Sequence, residues 1–271
     1  MDSPGAAVAV TKNGETVFLK GYGSANLEHK IPINPNVTRF NIGSTSKQVT
    51  VFAALLLAEK GKLSMDDDVR KYIPELHNFG RKITLRDLAY HRSGIRSELL
   101  LLAMAGWTPG DVMTRQQVLE MIYRQKELNF KTGEKFSYSN SGLTLLSEVV
   151  ERVSGKTFAE FAQQNIFKPL GMNQTFFLSD HQSIIDNMAY SYGGNQNGNY
   201  KNNLNFGYSG STGVFTTASD FTKWALNFKN PKVGSKRIID EMNTLGKLNN
   251  GETNTFAMGQ FIEKYKGLNH I

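Results

Sequence analysis

Hydrophobic and polar positions divide the chain into strand-like ends and a helix-like middle. Apolar runs on both sides of Asn13-Gly14 predict a β-hairpin, because this dipeptide favours the type I′ turn. Residues 255–262 and 268–271 predict two further strands at the other end. The pattern therefore predicts an α+β fold, with an antiparallel sheet built from N- and C-terminal strands and an all-helical region inserted between them.

The middle of the chain contains two long apolar helices and four further helices with capping signals. Residues 49–58 are apolar on nearly all sides, which predicts an interior helix ending at Gly61. Residues 143–153 predict a second apolar helix. Capping sequences mark the four others, at Thr84, Thr114, Thr157 and Thr217. Residues 191–213 are rich in glycine and asparagine and predict a long loop, of the kind that often borders a site.

Length and composition are those of one domain with a large core. The 271 residues predict a single unit, 1–271, with sheet residues at about 1–40 and 205–271 and helical residues at about 41–204. The sequence has no apolar run of 18 residues, so we expect no membrane span, and no signal peptide is visible before the first strand. Zero cysteines exclude disulfides, thiolate metal sites and a cysteine nucleophile.

Charge and histidine placement argue against two classes of function. The net charge is +7, but the lysines are scattered and no basic run of five occurs, so we expect no nucleic-acid partner. A metal hydrolase is disfavoured because the histidines lie far apart and form no His-x-x-x-His pair. We therefore expect no metal and no cofactor. The five histidines are His29, His77, His91, His181 and His270.

Ser44 and Lys47 form a Ser-x-x-Lys pattern at the start of the first apolar helix. Residues three apart share a helix face, so the two side chains can hydrogen-bond. A serine hydroxyl is a weak nucleophile until an adjacent base takes its proton. A lysine amine can be that base where burial and a helix N-terminus lower its pKa. The pattern alone is common on solvated helix surfaces. A lysine in the first turn of an interior helix is unexpected, however, and indicates a specific role.

Tyr138 and Asn140 form a second motif before the other apolar helix. A tyrosine near an ammonium loses its proton more easily and could relay the Ser44 proton or protonate a leaving group. An asparagine amide can orient Lys47 and hold a substrate amide. Taken alone, the pattern also fits a core-edge tyrosine and an N-cap asparagine.

Together, the two motifs resemble those of the serine β-lactamase and penicillin-binding protein superfamily. The closer likeness is to the branch of class C β-lactamases, D-Ala-D-Ala carboxypeptidases and related esterases. It covers nearly the whole chain and rests on the opening hairpin and on ordered segments at 40–47, 61–64, 84–88, 91–94, 133–140 and 166–172. The resemblance implies a β-lactamase-like fold with the active site between the sheet and the helical region. It implies that Ser44, Lys47 and Tyr138 are catalytic. Asn140 would bind substrate, and His91 would be structural, fixing the loop at residues 93–94.

The family's third motif, Lys-Thr-Gly or His-x-Gly on a strand near the C-terminus, has no clear match. Lys131-Thr132-Gly133 spells it but precedes Tyr138, so we interpret it as an unrelated turn. The candidate strand begins near Leu268, and His270 lacks the following x-Gly. We expect that the sequence is truncated, without the family's terminal helices. One oxyanion donor would then be missing, at a cost of roughly 10²–10³ in rate. The uncovered sheet could also support self-association.

Two functional hypotheses follow. The first is a serine acyl hydrolase that acts through a Ser44 acyl-enzyme on a D-Ala peptide, a β-lactam or an ester. The second is a catalytically impaired penicillin-binding or acyl-trapping module that lacks the third motif. By family resemblance we expect a periplasmic or extracellular location, with a cytoplasmic one remaining open. The expected partner is a small-molecule or peptide substrate.

Overall fold

The structure, a computed structural model, describes residues 3–108, 110–196 and 198–271. Its helices and strands mix along the chain, so the predicted α+β class is confirmed. The helices are α1 (Ser46–Glu59), α2 (Leu85–Ala89), α3 (Glu98–Met104), α4 (Arg115–Tyr123), α5 (Asn140–Ser154), α6 (Phe158–Ala162), α7 (Ala218–Lys229) and α8 (Lys236–Met242). The strands are β1 (Ala6–Lys12), β2 (Glu15–Tyr22), β3 (Ser24–Asn26), β4 (Ile31–Pro32), β5 (Phe40–Asn41), β6 (Met113–Thr114), β7 (Phe176–Phe177), β8 (Tyr192–Asn195), β9 (Gly198–Lys201), β10 (Phe206–Gly207), β11 (Val214–Thr216), β12 (Glu263–Tyr265) and β13 (Leu268–His270).

The strands pair in several small sheets. β1 and β2 form the predicted hairpin, and Asn13 and Gly14 both have positive φ, as a type I′ turn requires. β5, β11 and β7 form an antiparallel three-stranded sheet. β12 and β13 pair only with each other among the described strands, so the hairpins at the two ends belong to separate sheets.

Two sequence predictions are wrong in detail. Residues 255–262 are not a strand, because the chain turns back on itself at Gly259 (φ +83°) and only Phe256 and Phe261 bridge. The predicted long loop at 191–213 contains the β8–β9 hairpin, since Tyr192 to Asn195 pair with Gly198 to Lys201. In both places glycine conformation, which the sequence does not report, decides where the chain reverses.

The core forms around α1 and α5, the two apolar helices predicted from the sequence. Eleven residues of α1 are buried, which explains why apolar residues occupy nearly all its sides. α5 packs close to α2 at Gly142, since a Cβ added to this glycine would lie only 3.0 Å from Leu88 O. The absence of a side chain at Gly142 allows this close approach. The shorter helices begin where the capping signals predict, with full capping boxes at Thr84, Thr114 and Thr157. This packing places the first turn of α1 beside the N-terminus of α5.

Candidate active site

Ser44 and Lys47 lie at the entrance of the buried helix α1. Ser44 belongs to the short 3₁₀ turn Gly43–Thr45, and Lys47 is in the first turn of α1. Lys47 Nζ is 3.1 Å from Ser44 Oγ, so the contact predicted from the three-residue spacing is present. The arrangement brings a hydroxyl and an amine together with no intervening group.

Lys47 is almost completely removed from solvent, with 1% of its surface exposed. Its Nζ donates a hydrogen bond to the Ser211 carbonyl oxygen at 2.7 Å. Burial lowers the pKa of Lys47 to about 7, and the charge of the Glu98 carboxylate acts in the opposite direction. A large fraction of the amine is therefore unprotonated near neutral pH and can accept the Ser44 proton.

The loop that carries Ser211 is held between α1 and α5. The Thr50 hydroxyl donates to Gly210 O at 2.6 Å, which ties the loop to α1. Gly210 has φ +112°, and a Cβ there would lie 2.4 Å from Ser147 Oγ on α5. Only glycine fits this close approach, which sets the position of the Ser211 carbonyl. The 191–213 segment thus borders the site through Ser211.

Tyr138 lies directly over the lysine. Lys47 Nζ is 4.8 Å from the centroid of the Tyr138 ring, a cation–π distance. Burial raises the pKa of Tyr138, and a hydrogen bond with Ser44 only partly offsets this. The expectation that the nearby ammonium would favour a phenolate is wrong, because desolvation is the larger effect even though 36% of Tyr138 is exposed. Tyr138 is a neutral phenol that can donate or relay a proton.

His91 supports the segment that carries Tyr138. The two rings lie 4.4 Å apart between centroids, and His91 Nδ1 accepts a hydrogen bond from the Ser139 N–H at 3.2 Å. Burial lowers the pKa of His91 to about 3, so the imidazole is neutral. Phe256 packs on its other side at 4.6 Å. These contacts give His91 a structural role at the second motif. The sequence predicted a structural role at residues 93–94 and did not predict the contacts with Tyr138 and Ser139.

Asn140 is the first residue of α5, and Ser139 is the N-cap. The alternative that Asn140 serves as the cap is therefore wrong. Its Oδ1 is buried and has no hydrogen-bond partner within the part of the chain that the structure describes. A buried acceptor without a partner is costly, so this atom is available to a donor on a bound molecule.

The two segments considered for the third motif, residues 131–133 and the strand with His270, lie in a turn and in a hairpin, respectively. Gly133 lies in a turn, where its N–H donates to Arg92 O and its carbonyl accepts from Asn249 N–H. His270 is in β13, and its half-exposed side chain lies 3.7 Å from Glu263. Ile271 lines a cavity together with Thr45 and Gln48 of the α1 entrance. The end of the described chain therefore lies next to the residues around Ser44.

Glu98 is a residue of this region that the sequence analysis missed. It is the first residue of α3 and is completely buried. Burial raises the pKa of Glu98, and the positive charge of Lys47 acts in the opposite direction. The available signal was an acidic residue directly before a run of leucines, since a buried acid among apolar neighbours often belongs to a site.

Comparison with known proteins agrees with this geometry. The family model described as "Beta-lactamase" matches residues 1–268. Protein flp of Staphylococcus aureus (strain N315) is 29% identical, over 95% of this chain and 52% of its own length. The putative penicillin-binding protein PbpX of Bacillus subtilis (strain 168) is 30% identical, over 96% of this chain and 63% of its own length. The chain thus spans about half to two thirds of the length of these curated relatives.

A solved structure shows the same fold. The octameric penicillin-binding protein homologue from Pyrococcus abyssi superposes with a TM-score of 0.85 at 30% identity, covering 98% of this chain and 63% of that chain. The family match over nearly the whole sequence and this superposition together confirm the resemblance inferred from the motifs. The chain belongs to the beta-lactamase family, a family of hydrolases that share this fold.

Proposed function

We propose that the protein is a serine acyl hydrolase that works through a covalent intermediate on Ser44. The observation that carries the proposal is the 3.1 Å contact between Ser44 Oγ and the amine of Lys47. The burial that lowers the pKa of Lys47 to about 7 makes this amine a base under neutral conditions. A solvated lysine at the same distance would remain charged and could not take the proton.

The reaction has two stages. Ser44 Oγ attacks the acyl carbon of the substrate while its proton moves to Lys47 Nζ. The leaving amine or alcohol then takes a proton, which the neutral Tyr138 phenol can donate or relay before it is replaced from Lys47. Water finally attacks the acyl-enzyme and releases the acid, and Ser44 recovers its proton.

The candidate substrates are a D-Ala peptide, a β-lactam and a simple ester. Asn140 Oδ1 has no partner among the described residues, and it therefore favours a substrate that carries an amide N–H close to its reactive carbonyl. The first two substrates have such an N–H and a simple ester does not. The name of the Bacillus subtilis relative, a putative penicillin-binding protein, makes penicillin a suitable first probe.

A second candidate is an acyl-trapping or penicillin-binding module that acylates slowly and does not turn over. This alternative is favoured by the name of the Bacillus subtilis relative, a putative penicillin-binding protein, because that name describes binding of penicillin and not its hydrolysis.

Intact-mass measurement separates these functions. The protein is incubated with a fluorescent penicillin and, separately, with a p-nitrophenyl ester whose hydrolysis is followed by absorbance. An acyl hydrolase gives an adduct that decays and releases p-nitrophenol repeatedly. An acyl trap gives one stable adduct per chain and no turnover.

Ser44→Ala should abolish the adduct, because the hydroxyl that forms the acyl bond is removed. Ser64→Ala changes an exposed serine in the loop after α1 and is the control for general effects of substitution. An adduct that persists in Ser44→Ala would place the nucleophile elsewhere. No adduct and no ester turnover in the unmodified protein would contradict both candidates.

A further inference from the structure

Glu98 is a buried carboxyl group that the proposed reaction does not use directly. None of its surface is exposed, and both carboxylate oxygens face hydroxyl groups. Ser141 Oγ lies 2.8 Å from Oε2, while Tyr208 and Thr144 lie 3.3 Å and 3.5 Å from Oε1. Tyr208 and Thr144 can donate to Oε1, while Ser141 shares its single hydroxyl proton between Oε2 and the Arg96 carbonyl oxygen at 2.7 Å, so the site can hydrogen-bond an anion.

No cationic side chain of the described residues touches this carboxylate. Among residues 3–108, 110–196 and 198–271, the ion pairs within 4.0 Å do not include Glu98. The nearby Arg96 guanidinium instead contacts Asn129 and Glu127. A buried carboxylate without a compensating charge is strongly unfavourable, so the position of Glu98 needs an explanation.

Lys47 is the positive charge that acts on Glu98, and Glu98 is the negative charge that acts on Lys47. The short segment from Tyr208 to Ser211 connects them, since the Tyr208 phenol donates to Glu98 at 3.3 Å and the Ser211 carbonyl accepts from Lys47 at 2.7 Å. The two groups therefore contact the two ends of one short segment without forming an ion pair with each other, and charges this close to a shared buried segment influence one another.

The other titratable groups around the pair are uncharged near neutral pH. Burial lowers the pKa of His91 to about 3, which leaves a neutral imidazole. Burial raises the pKa of Tyr138 and that of Tyr208, so both remain neutral phenols. From α5, Glu98 is faced by the hydroxyls of Ser141 and Thr144. Burial raises the pKa of Glu98 itself, while the hydrogen bond with Ser141 and the charge of Lys47 lower it.

We propose that Glu98 is the buried counter-ion of Lys47 and stabilises the ammonium that forms when Lys47 takes the Ser44 proton. In this step the Ser44 O–H bond breaks, an N–H bond forms on Lys47, and a positive charge appears in a site nearly closed to water. The fixed carboxylate offsets that charge without moving, which is the electrostatic preorganisation that lowers a barrier. Glu98 acts through Lys47 and does not touch the substrate, so it is a positioning residue. Its effect on the acylation rate rests on the proposed function.

The test is a direct titration of Lys47 in the folded protein. The 13C shift of the Lys47 ε-carbon is followed against pH in lysine-labelled protein, with Lys47→Met used to assign the signal. We expect a midpoint near 7 in the unmodified protein. In Glu98→Gln the midpoint should fall by about one pH unit, because the amide keeps the hydrogen bonds but removes the charge.

Glu148→Gln is the matched control. Glu148 is also a buried carboxylate, on α5, but it pairs with Arg115 and Arg152. This variant should lower the stability of the protein and leave the Lys47 midpoint unchanged. An unchanged or raised midpoint in folded Glu98→Gln would overturn the proposal.

A second measurement keeps the proposal testable if Glu98→Gln does not fold. The carboxyl 13C shift of Glu98, assigned with Glu98→Asp, reports its charge in the unmodified protein. The counter-ion must be ionised at pH 8, so a carboxyl group still protonated at that pH would overturn the proposal. Both titrations work whether or not Ser44 forms an acyl-enzyme, so failure of the proposed function is seen separately as the absence of an adduct.

The kinetic consequence is measured on the adduct-forming reaction. Without the counter-ion Lys47 is a weaker base, so the acid limb of the acylation rate should move to lower pH and the plateau should fall about three- to tenfold. A merely structural role for Glu98 would lower the plateau without moving the limb.

Discussion

The first turn of α1 and the C-terminal hairpin lie close together, yet the first is buried and the second is largely exposed to solvent. Most of α1 is buried, and Lys47 within it has 1% of its surface exposed. In the hairpin formed by β12 and β13, Tyr265 and Leu268 are 65% and 74% exposed. Burial changes the proton affinity of a side chain, and exposure leaves it close to its value in water. The proposed chemistry therefore depends on α1 and its neighbours, while the hairpin contributes little packing energy.

The largest expected effect comes from Lys47→Met, which removes the proposed base but keeps a long apolar side chain. Acylation should fall at least about 10³-fold, because no group takes the Ser44 proton. Adduct formation measured by intact mass tests this. An acylation rate within tenfold of that of the unmodified protein would remove Lys47 as the base.

The same substitution should remove a pH dependence from the stability of the protein. The pKa of Lys47 is about 7 in the folded protein and 10.5 is its usual value, so the unfolded chain binds the proton more tightly. The unmodified protein therefore loses stability as pH falls from about 10.5 towards 7. The free energy of unfolding of Lys47→Met, taken relative to that of the unmodified protein, should therefore fall by roughly 2–4 kcal/mol as the pH rises from 7 to 10.5. Urea unfolding at several pH values measures this, and a constant difference would contradict the effect of burial.

Gly210→Ala should have the next largest effect, since it alters the loop that fixes Lys47. The new Cβ would lie 2.4 Å from Ser147 Oγ at a backbone φ of +112°. We expect a loss of about 2–3 kcal/mol in the free energy of unfolding. Displacement of the Ser211 carbonyl should also slow acylation about tenfold, as an order-of-magnitude expectation for a misplaced base.

Gly61→Ala separates backbone strain from displacement of the loop. Gly61 also has positive φ, but no atom lies within 4 Å of its ideal Cβ. This variant should cost about 1 kcal/mol and leave the acylation rate unchanged. Equal acylation rates in the two glycine variants would show that the Ser211 carbonyl does not position Lys47.

The smallest effect is expected in the hairpin. Leu268→Ser changes a side chain that is 74% exposed, so the free energy of unfolding should change by less than about 0.5 kcal/mol. Leu55→Ala in α1, where Leu55 is 2% exposed, should cost about 2–5 kcal/mol. Urea unfolding of both variants measures the contrast. A large loss of acylation in Leu268→Ser would show that the hairpin takes part in the site.

Much of this molecule was predictable because its signals are local. The turn at Asn13-Gly14 and the capping boxes at Thr84, Thr114 and Thr157 depend on residues within four positions of one another. The contact between Ser44 and Lys47 follows from helix geometry alone. These features appear in the structure as the sequence predicts.

The failures are positions where distant parts of the chain meet. The direction of the Tyr138 pKa was predicted wrongly, because the sequence shows the nearby lysine but not the burial that outweighs it. Residues 255–262 have the composition of a strand, but the turn at Gly259 brings that backbone against Lys47 O instead. Glu98 was missed because its three hydroxyl partners lie 43 to 110 positions along the chain.

By itself, the sequence determined the family, the mixed helix and strand class, and a serine and a lysine three residues apart at the entrance of a buried helix. The tertiary structure decided what that amine can do. Packing of α1 against α5 removes water from Lys47, the loop at Gly210 holds it, and a carboxylate from α3 acts on it from a distance. Proton affinity depends on the solvent and charge around a group in three dimensions, and the spacing of residues along a chain does not contain that information.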